Sequence, residues 1–203
     1  MLASAVLLAL LLGAQALRIH DDEARTAPME VSGTASEAVD ARSFTVEVVD
    51  VAFARSVYDA SRLSVGDEDE ADAAAAEDAI EANGVWVVVT ADITAAERPL
   101  NRVNAELETG EGTTYSSSTM SVNALGSISD VFSPGIPGAA RWCSSCPRAA
   151  VLPSVRFNVH SGLDKRLSGS ALVDLELSGS ELKKAVDGAE EALAVPQSEI
   201  RKA

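Results

Sequence analysis

Cys143-Ser144-Ser145-Cys146 is the most chemically suggestive spacing in the chain. C-x-x-C is the spacing of thiol oxidoreductases, in which the first thiol sits at a helix N-terminus and the dipole lowers its pKa. Here Pro134, Pro137 and Gly138 precede the pair and Pro147 follows it. No strand–helix–strand unit surrounds it. A thiol-redox role is therefore disfavoured. A small Cys143–Cys146 disulfide, of the kind exported proteins form, and a pair of inert thiols are both left open. Zinc would need two further ligands, and His20 and His160 are the two histidines of the chain.

His160 falls on the polar side of an alternating stretch. As a catalytic base it would need a nucleophile and an orienting acid, and no G-x-S-x-G elbow occurs. It is expected to face solvent. Asp174 and Glu176 lie two apart, on one outward face of a strand, and could pair as acid and base. Outward carboxylates usually only solubilise, and that is the expectation here. The window 67–81 (DEDEADAAAAEDAIE) holds eight acids and no base. It lacks the glycine and the spaced oxygens of a calcium loop. It is expected to be a solvated acidic insertion. No phosphate-binding loop, dinucleotide fingerprint or H-E-x-x-H motif is found. No catalytic residue, cofactor site or metal site is assigned.

The elements that would position such groups read as follows. Residues 1–16 carry no charge, and Val6–Leu12 is wholly apolar. Ala14-x-Ala16 suits a signal peptidase, so cleavage is expected between Ala16 and Leu17. The basic residue that normally precedes such a run is missing, and an uncleaved anchor stays open. Residues 17–42 read as a polar linker. From Ser43 the pattern takes period two: Phe44, Val46 and Val48, then Val49, Val51 and Phe53. The phase slips at Val48–Val49, where a β-bulge would restore the inward set. Val85–Ile93 suits a central strand, with Trp86 in the core. Residues 103–118 read as a hairpin turning at Thr109–Gly112. Leu125–Ile128 suggests a short strand, and 133–138 is a Pro-Gly loop. Val155, Phe157 and Val159, then Ala171, Val173, Leu175 and Leu177, alternate as two further strands. Residues 179–203 read as a tail holding a loose helix.

About seven strands with turn signals between them predict an all-β, Ig-like antiparallel sandwich over 43–178. The layout resembles the telokin-like, secreted immunoglobulin-type domains of Gram-positive bacteria. The resembling residues are Val46–Asp50, Gly84–Val89, Leu107 with Gly110–Tyr115, and Ser133–Pro137. What the resemblance implies is an extracytoplasmic domain without enzymatic activity. One segment departs from it. Where that family has an apolar strand of the type Val-Val-Phe-Glu-Leu-Pro, this chain reads Arg141-Trp142-Cys143-Ser144-Ser145-Cys146-Pro147. One legal coding, CGG TGG TGT TCG AGC TGC CCC, read two bases later, restores the family's residues. A compensated local frameshift is therefore open. If the present frame holds, a degraded strand and an exposed Trp142 are expected.

Composition bounds the function. The chain has 203 residues, 31 acids against 16 bases and a net charge of −15. That excludes general nucleic-acid binding and disfavours anionic membrane surfaces, with membrane contact expected through an uncleaved N-terminus alone. The reading is a non-enzymatic domain, secreted or tethered at the cell envelope, presenting a binding or structural surface to a partner there. The alternatives are a small extracytoplasmic thiol-redox enzyme or hydrolase, and a structural spacer.

Overall fold

The β-branched stretches that dominate the sequence form two long paired strands, and the rest of the fold is laid against them. The computed structural model describes residues 8, 11–13, 28–60, 79–101, 103–117, 131–159, 168–177, 179–196 and 199–200. In chain order the strands are β1 (Met29–Thr34), β2 (Val39–Asp40), β3 (Phe44–Asp59), β4 (Ile80–Ala95), β5 (Asn104–Glu108) and β6 (Thr114–Ser116). There follow β7 (Gly138–Cys146), β8 (Ser154–Asn158), β9 (Gly169–Asp174), helix α1 (Gly179–Asp187), β10 (Glu190–Val195) and β11 (Glu199–Ile200). One sheet has the order β1-β9-β8-β5-β6. The other has the order β10-β3-β4-β7-β11, with β2 also paired to β3. They are called the first and second sheets below.

The two sheets enclose one main core, so the chain is a β-sandwich. Phe44, Val46, Val87, Val89, Ile93 and Trp142 point inward from the second sheet. Ala105, Leu107, Val155, Phe157, Ala171 and Val173 meet them from the first. Each large side chain buried there contributes about 1.5–3 kcal/mol relative to exposure. The Trp142 and Phe157 rings meet edge to face across the sheets, with centroids 5.1 Å apart. The indole N–H of Trp142 donates to the Val103 carbonyl at 3.2 Å, which satisfies its one polar group.

The bulge read from the phase slip is present. The β3–β4 register shifts between Val48 and Asp50, and Val49 is left outward, 53 % exposed. A second shift lies between Ala54 and Ser56. The hairpin of β5 and β6 also forms. Its turn is closed by Thr109 N–H donating to Thr113 O, and by Thr113 N–H donating to Thr109 Oγ1. Gly112 supplies the positive φ of 80° that this turn requires. Trp86 is buried as expected, although on the outer side of its strand, and its indole N–H donates to the Ile80 carbonyl.

Three expectations are corrected. The linker reading of 17–42 fails from Met29 onward, where β1 pairs in parallel with β9 and β2 pairs with β3. Its polar residues Glu30, Ser32 and Thr34 are the outward half of a strand whose inward half is Val31 and Gly33. The tail is also structural. Helix α1 buries Leu182 and Val186, four apart on one face, against the main core, and β10 pairs in parallel with β3. Over 43–178 the expected architecture stands, with seven strands, β3 to β9, paired antiparallel throughout; among the described residues β1 and β10 add two parallel pairings from outside that range. Finally, Arg141–Cys146 is no degraded segment. With the residues as they stand it is most of β7, paired along β4 from Ile93↔Gly138 to Val85↔Cys146. Trp142, expected at the surface, is 1 % exposed.

Gly84 permits this last pairing to begin. A Cβ there would run into the carbonyl oxygen of Cys146. Residues 67–78, 125–128, His20, His160, Ala16 and Leu17 lie outside the described residues. Residues 8 and 11–13 are helical, with Leu8, Leu11 and Leu12 exposed. Among the described residues no helix is long and apolar enough to cross a membrane.

Candidate functional site

Strand alternation decides the fate of the two cysteines. Successive side chains of a strand point to opposite faces, so residues three apart cannot share one. Cys146 lies in the main core between the sheets, and Cys143 lies on the outer face of the second sheet. Both are thiols, so of the two alternatives left open by the sequence the Cys143–Cys146 disulfide is not formed. Burial pushes the Cys146 thiol up from 9.0 to about 12, because the thiolate would have to leave water. A thiol that holds its proton this firmly is a poor nucleophile. The dithiol chemistry suggested by the spacing has no geometry to support it.

The carboxylates Asp174 and Glu176 are built into a turn. Asp174 Oδ1 accepts the Glu176 N–H at 2.8 Å, and Glu176 adopts φ 55°. Glu176 Oε2 in turn accepts the Ser36 N–H at 3.1 Å. The pair thus ties the end of β9 to the chain leaving β1.

The two outer faces of the sandwich differ in kind. That of the first sheet is polar in successive cross-strand rows. One row runs Thr34, Asp174, Ser154, Glu108, Thr114, and the next runs Ser32, Leu172, Arg156, Glu106, Ser116, polar but for Leu172. Arg156 Nη2 reaches Glu108 Oε2 at 2.7 Å and Glu30 Oε2 at 3.2 Å, linking three strands. Such part-exposed pairs contribute roughly 0–1 kcal/mol each and mainly fix registry.

The outer face of the second sheet is apolar at its centre. Ala54, Val57, Trp86, Val88 and Cys143 form a second buried cluster there, and Val195 belongs to it. Val195 arrives through the path of the C-terminal chain. β10 lies on the β3 edge of the sheet, whereas β11 lies on the opposite edge, against β7. The last residues of β10, Leu193–Val195, and Pro196 after them lie against the outer face as a strap, with Leu193 and Val195 on the outer cluster. Beside this strap is a cleft of about 280 Å³. Its floor and roof are apolar, from Ala52, Val88, Leu193 and Val195, with Pro196 at one end. Asp50, Thr90 and Arg141 form a polar row along it. They sit on three adjacent strands in direct register, Asp50↔Thr90 and Thr90↔Arg141. The Arg141 guanidinium donates to the Pro196 carbonyl at 3.5 Å, which places it at the strap.

A second cleft, of about 360 Å³, opens where β10 meets the far ends of β3 and β4. Its two arginines and two glutamates oppose one another. Arg55 pairs with Glu191 at 3.1 Å, and Arg148 Nε donates to the Gly84 carbonyl at 3.4 Å. It offers no excess of either charge. Among the described residues no group of three or more His, Cys, Asp or Glu could hold a metal ion.

Asp50, Arg141 and the strap were not singled out by sequence. The available signal was Arg141, the sole charge in Gly138–Cys146. The strap gives no such sign, because its role depends on chain lying against a distant face.

No family model and no curated protein matches the chain. Two solved structures are similar to it. One is an uncharacterized beta-sandwich protein from Clostridium difficile 630, 15% identical, covering 74% of this chain and 96% of its own, with a TM-score of 0.42. The other is MPT63, a secreted protein from Mycobacterium tuberculosis, 11% identical, covering 71% of this chain and 97% of its own, with a TM-score of 0.40. The fold assignment rests on the two packed sheets themselves.

Proposed function

We propose that this chain is an exported, non-enzymatic binding domain that works at the cell envelope, and that the strap cleft on the second sheet is its binding surface. One observation carries the reading: an apolar, partly open cleft with a few polar groups converging on it. That is the ordinary form of a small-ligand site. The N-terminal apolar segment supports export. The resemblance to telokin-like secreted domains points the same way.

Two measurements test this. Expressed from its own first codon in a Gram-positive host, the protein is expected in the medium starting at Leu17, or in membranes if the segment is kept. Recovery from the cytoplasm with the segment intact would refute export. For the cleft, the full chain is expected to enhance fluorescence of the apolar dye anilinonaphthalene sulfonate. Thr90→Phe, which fills the cleft from a half-buried position, should cut that signal at least about fivefold. Equal enhancement by both proteins would refute the cleft as the binding surface. No enhancement by either would favour a structural spacer.

A further inference from the structure

Asn83-Gly84 plays no part in the binding reading, and it carries a reaction of its own. The backbone nitrogen after an asparagine can attack the side-chain carbonyl carbon and close a five-membered ring. A Cβ on the following residue hinders that approach, and glycine has none. Of Asn83, Asn101, Asn104, Asn123 and Asn158, Asn83 alone is followed by glycine.

A strand normally suppresses the reaction, because ladder pairing holds the backbone extended and ties its N–H groups. At Asn83 the ladder is interrupted. On one side Glu81 pairs with Ser56 and Trp86 with Ala54, so Ala82–Val85 stand opposite Arg55 alone. On the other side the pairing with β7 begins at Val85↔Cys146. Ala82, Asn83 and Gly84 thus have a register partner on neither side. Asn83 is also exposed, so water reaches it. Asn104 and Asn158 are the opposite case. They are register partners of one another and precede Ala105 and Val159. Asn158 is buried, and its Oδ1 accepts the Ser170 hydroxyl at 2.8 Å. The glycine that makes Asn83 vulnerable is itself required, because a Cβ at residue 84 would meet the Cys146 carbonyl oxygen.

We propose that Asn83 of the folded protein deamidates spontaneously to aspartate and isoaspartate, and that the isoaspartate form loosens the start of the β4–β7 pairing. The Gly84 nitrogen bonds to Asn83 Cγ and gives up its proton, the Cγ–Nδ2 bond breaks, and ammonia leaves. Water then opens the succinimide. Opening at Cγ gives aspartate. Opening at the main-chain carbonyl carbon gives isoaspartate, in which the chain runs on through the former side chain. One water is taken up and one ammonia released, with no oxidation. Isoaspartate lengthens the main chain by one methylene. It does so beside Gly84, where backbone lies against backbone and where Arg148 Nε donates to the Gly84 carbonyl at 3.4 Å.

The full chain is incubated at 37 °C and pH 8, folded and in guanidinium chloride, and its peptides are mapped by mass spectrometry. Conversion at Asn83 in the folded chain is expected within about tenfold of the denatured rate, and at least about tenfold faster than at Asn104 or Asn158. A larger drop on folding shows that the strand protects Asn83 and overturns the proposal, as does the absence of conversion in either state. Asn83→Gln, which would have to close a six-membered ring, is aged beside the parent. The parent should lose more in Tm on ageing than this variant does. Asn83→Asp carries the new charge without the added methylene, and when fresh it should melt close to the fresh parent. Equal losses in parent and Asn83→Gln, or a fresh Asn83→Asp that melts as low as the aged parent, overturn the loosening by isoaspartate.

Discussion

At the residue scale, the two cysteines show how one strand gives the same side chain two different environments. Cys146 points between the sheets and is 1 % exposed, so its thiolate is disfavoured and its titration moves up to about 12. The consequence for stability has a definite sign. In the unfolded chain the thiol loses its proton near 9.0, whereas the folded chain keeps it until about 12. Between those values the unfolded state binds fewer protons, so rising pH favours unfolding. The contribution is complete below pH 9 and is lost progressively toward 12, at a slope of at most about 1.4 kcal/mol per pH unit. Other groups titrate in the same range, so the informative quantity is a difference. Urea midpoints of the parent and of Cys146→Ala are compared at pH 7.5 and pH 10. The variant starts lower, because it leaves a cavity, but it should lose about 1 kcal/mol less than the parent on going to pH 10. Parallel losses would show that Cys146 ionises in the folded protein as it does in water.

At the scale of elements, the strap explains why Cys143 is buried on a face that has no second sheet over it. β10 is held by parallel pairing to β3 and by Leu193 and Val195, which pack on the outer cluster. The main core does not depend on either residue. Truncation after Gly188 should therefore uncover the outer face and leave the sandwich folded. Labelling with a thiol reagent, read peptide by peptide by mass spectrometry, should rise at least about tenfold at Cys143 and stay unchanged at Cys146. A rise at both would mean that the strap is integral to global stability, and no rise at either would mean that it does not cover Cys143. The same element marks the limit of what could be read in advance. Period-two alternation located β3, β5, β8 and β9, and even the bulge at Val49, because one face of each meets the core and the other does not; β4 was legible instead from its run of β-branched residues, which are buried on both faces. Alternation failed for β1 and β10. Both are edge strands paired in parallel with a segment far away in sequence, and their alternation is of small and polar residues. It failed for β7 because its pattern mixes Trp142 with Ser144 and Cys146 on one face. The cleft was illegible for a related reason: Asp50, Thr90 and Arg141 are neighbours only through the register of three strands.

At the scale of the whole molecule, the charge is unbalanced and the ion pairs do little to offset it. The chain carries 31 acids against 16 bases. The described pairs gather two arginines with three glutamates, Arg55 with Glu191 and Arg156 with Glu30 and Glu108. Glu47, Glu106 and Glu111 have no described ion pair and lie on the surface or partly exposed. Folding brings such carboxylates closer together than the unfolded chain does, and the repulsion works against the compact state. Its range is set by salt: about 30 Å at 0.01 M ionic strength and about 3 Å at 1 M. The protein should therefore become more stable as sodium chloride rises from 10 to 500 mM. A gain of about 1 kcal/mol would appear as a rise in Tm of roughly 2–4 °C for a chain of this size. Salt also strengthens apolar burial slightly, so the charge term needs its own control. In a variant with Glu47→Gln, Glu106→Gln and Glu111→Gln the repulsion is reduced and the burial is the same. It should melt higher than the parent at 10 mM salt, and the gap should close at 500 mM. If the gap persists at high salt, the glutamates act through local contacts. If the parent's Tm falls with salt, attraction outweighs repulsion, and the acidic surface stabilises the sandwich rather than straining it.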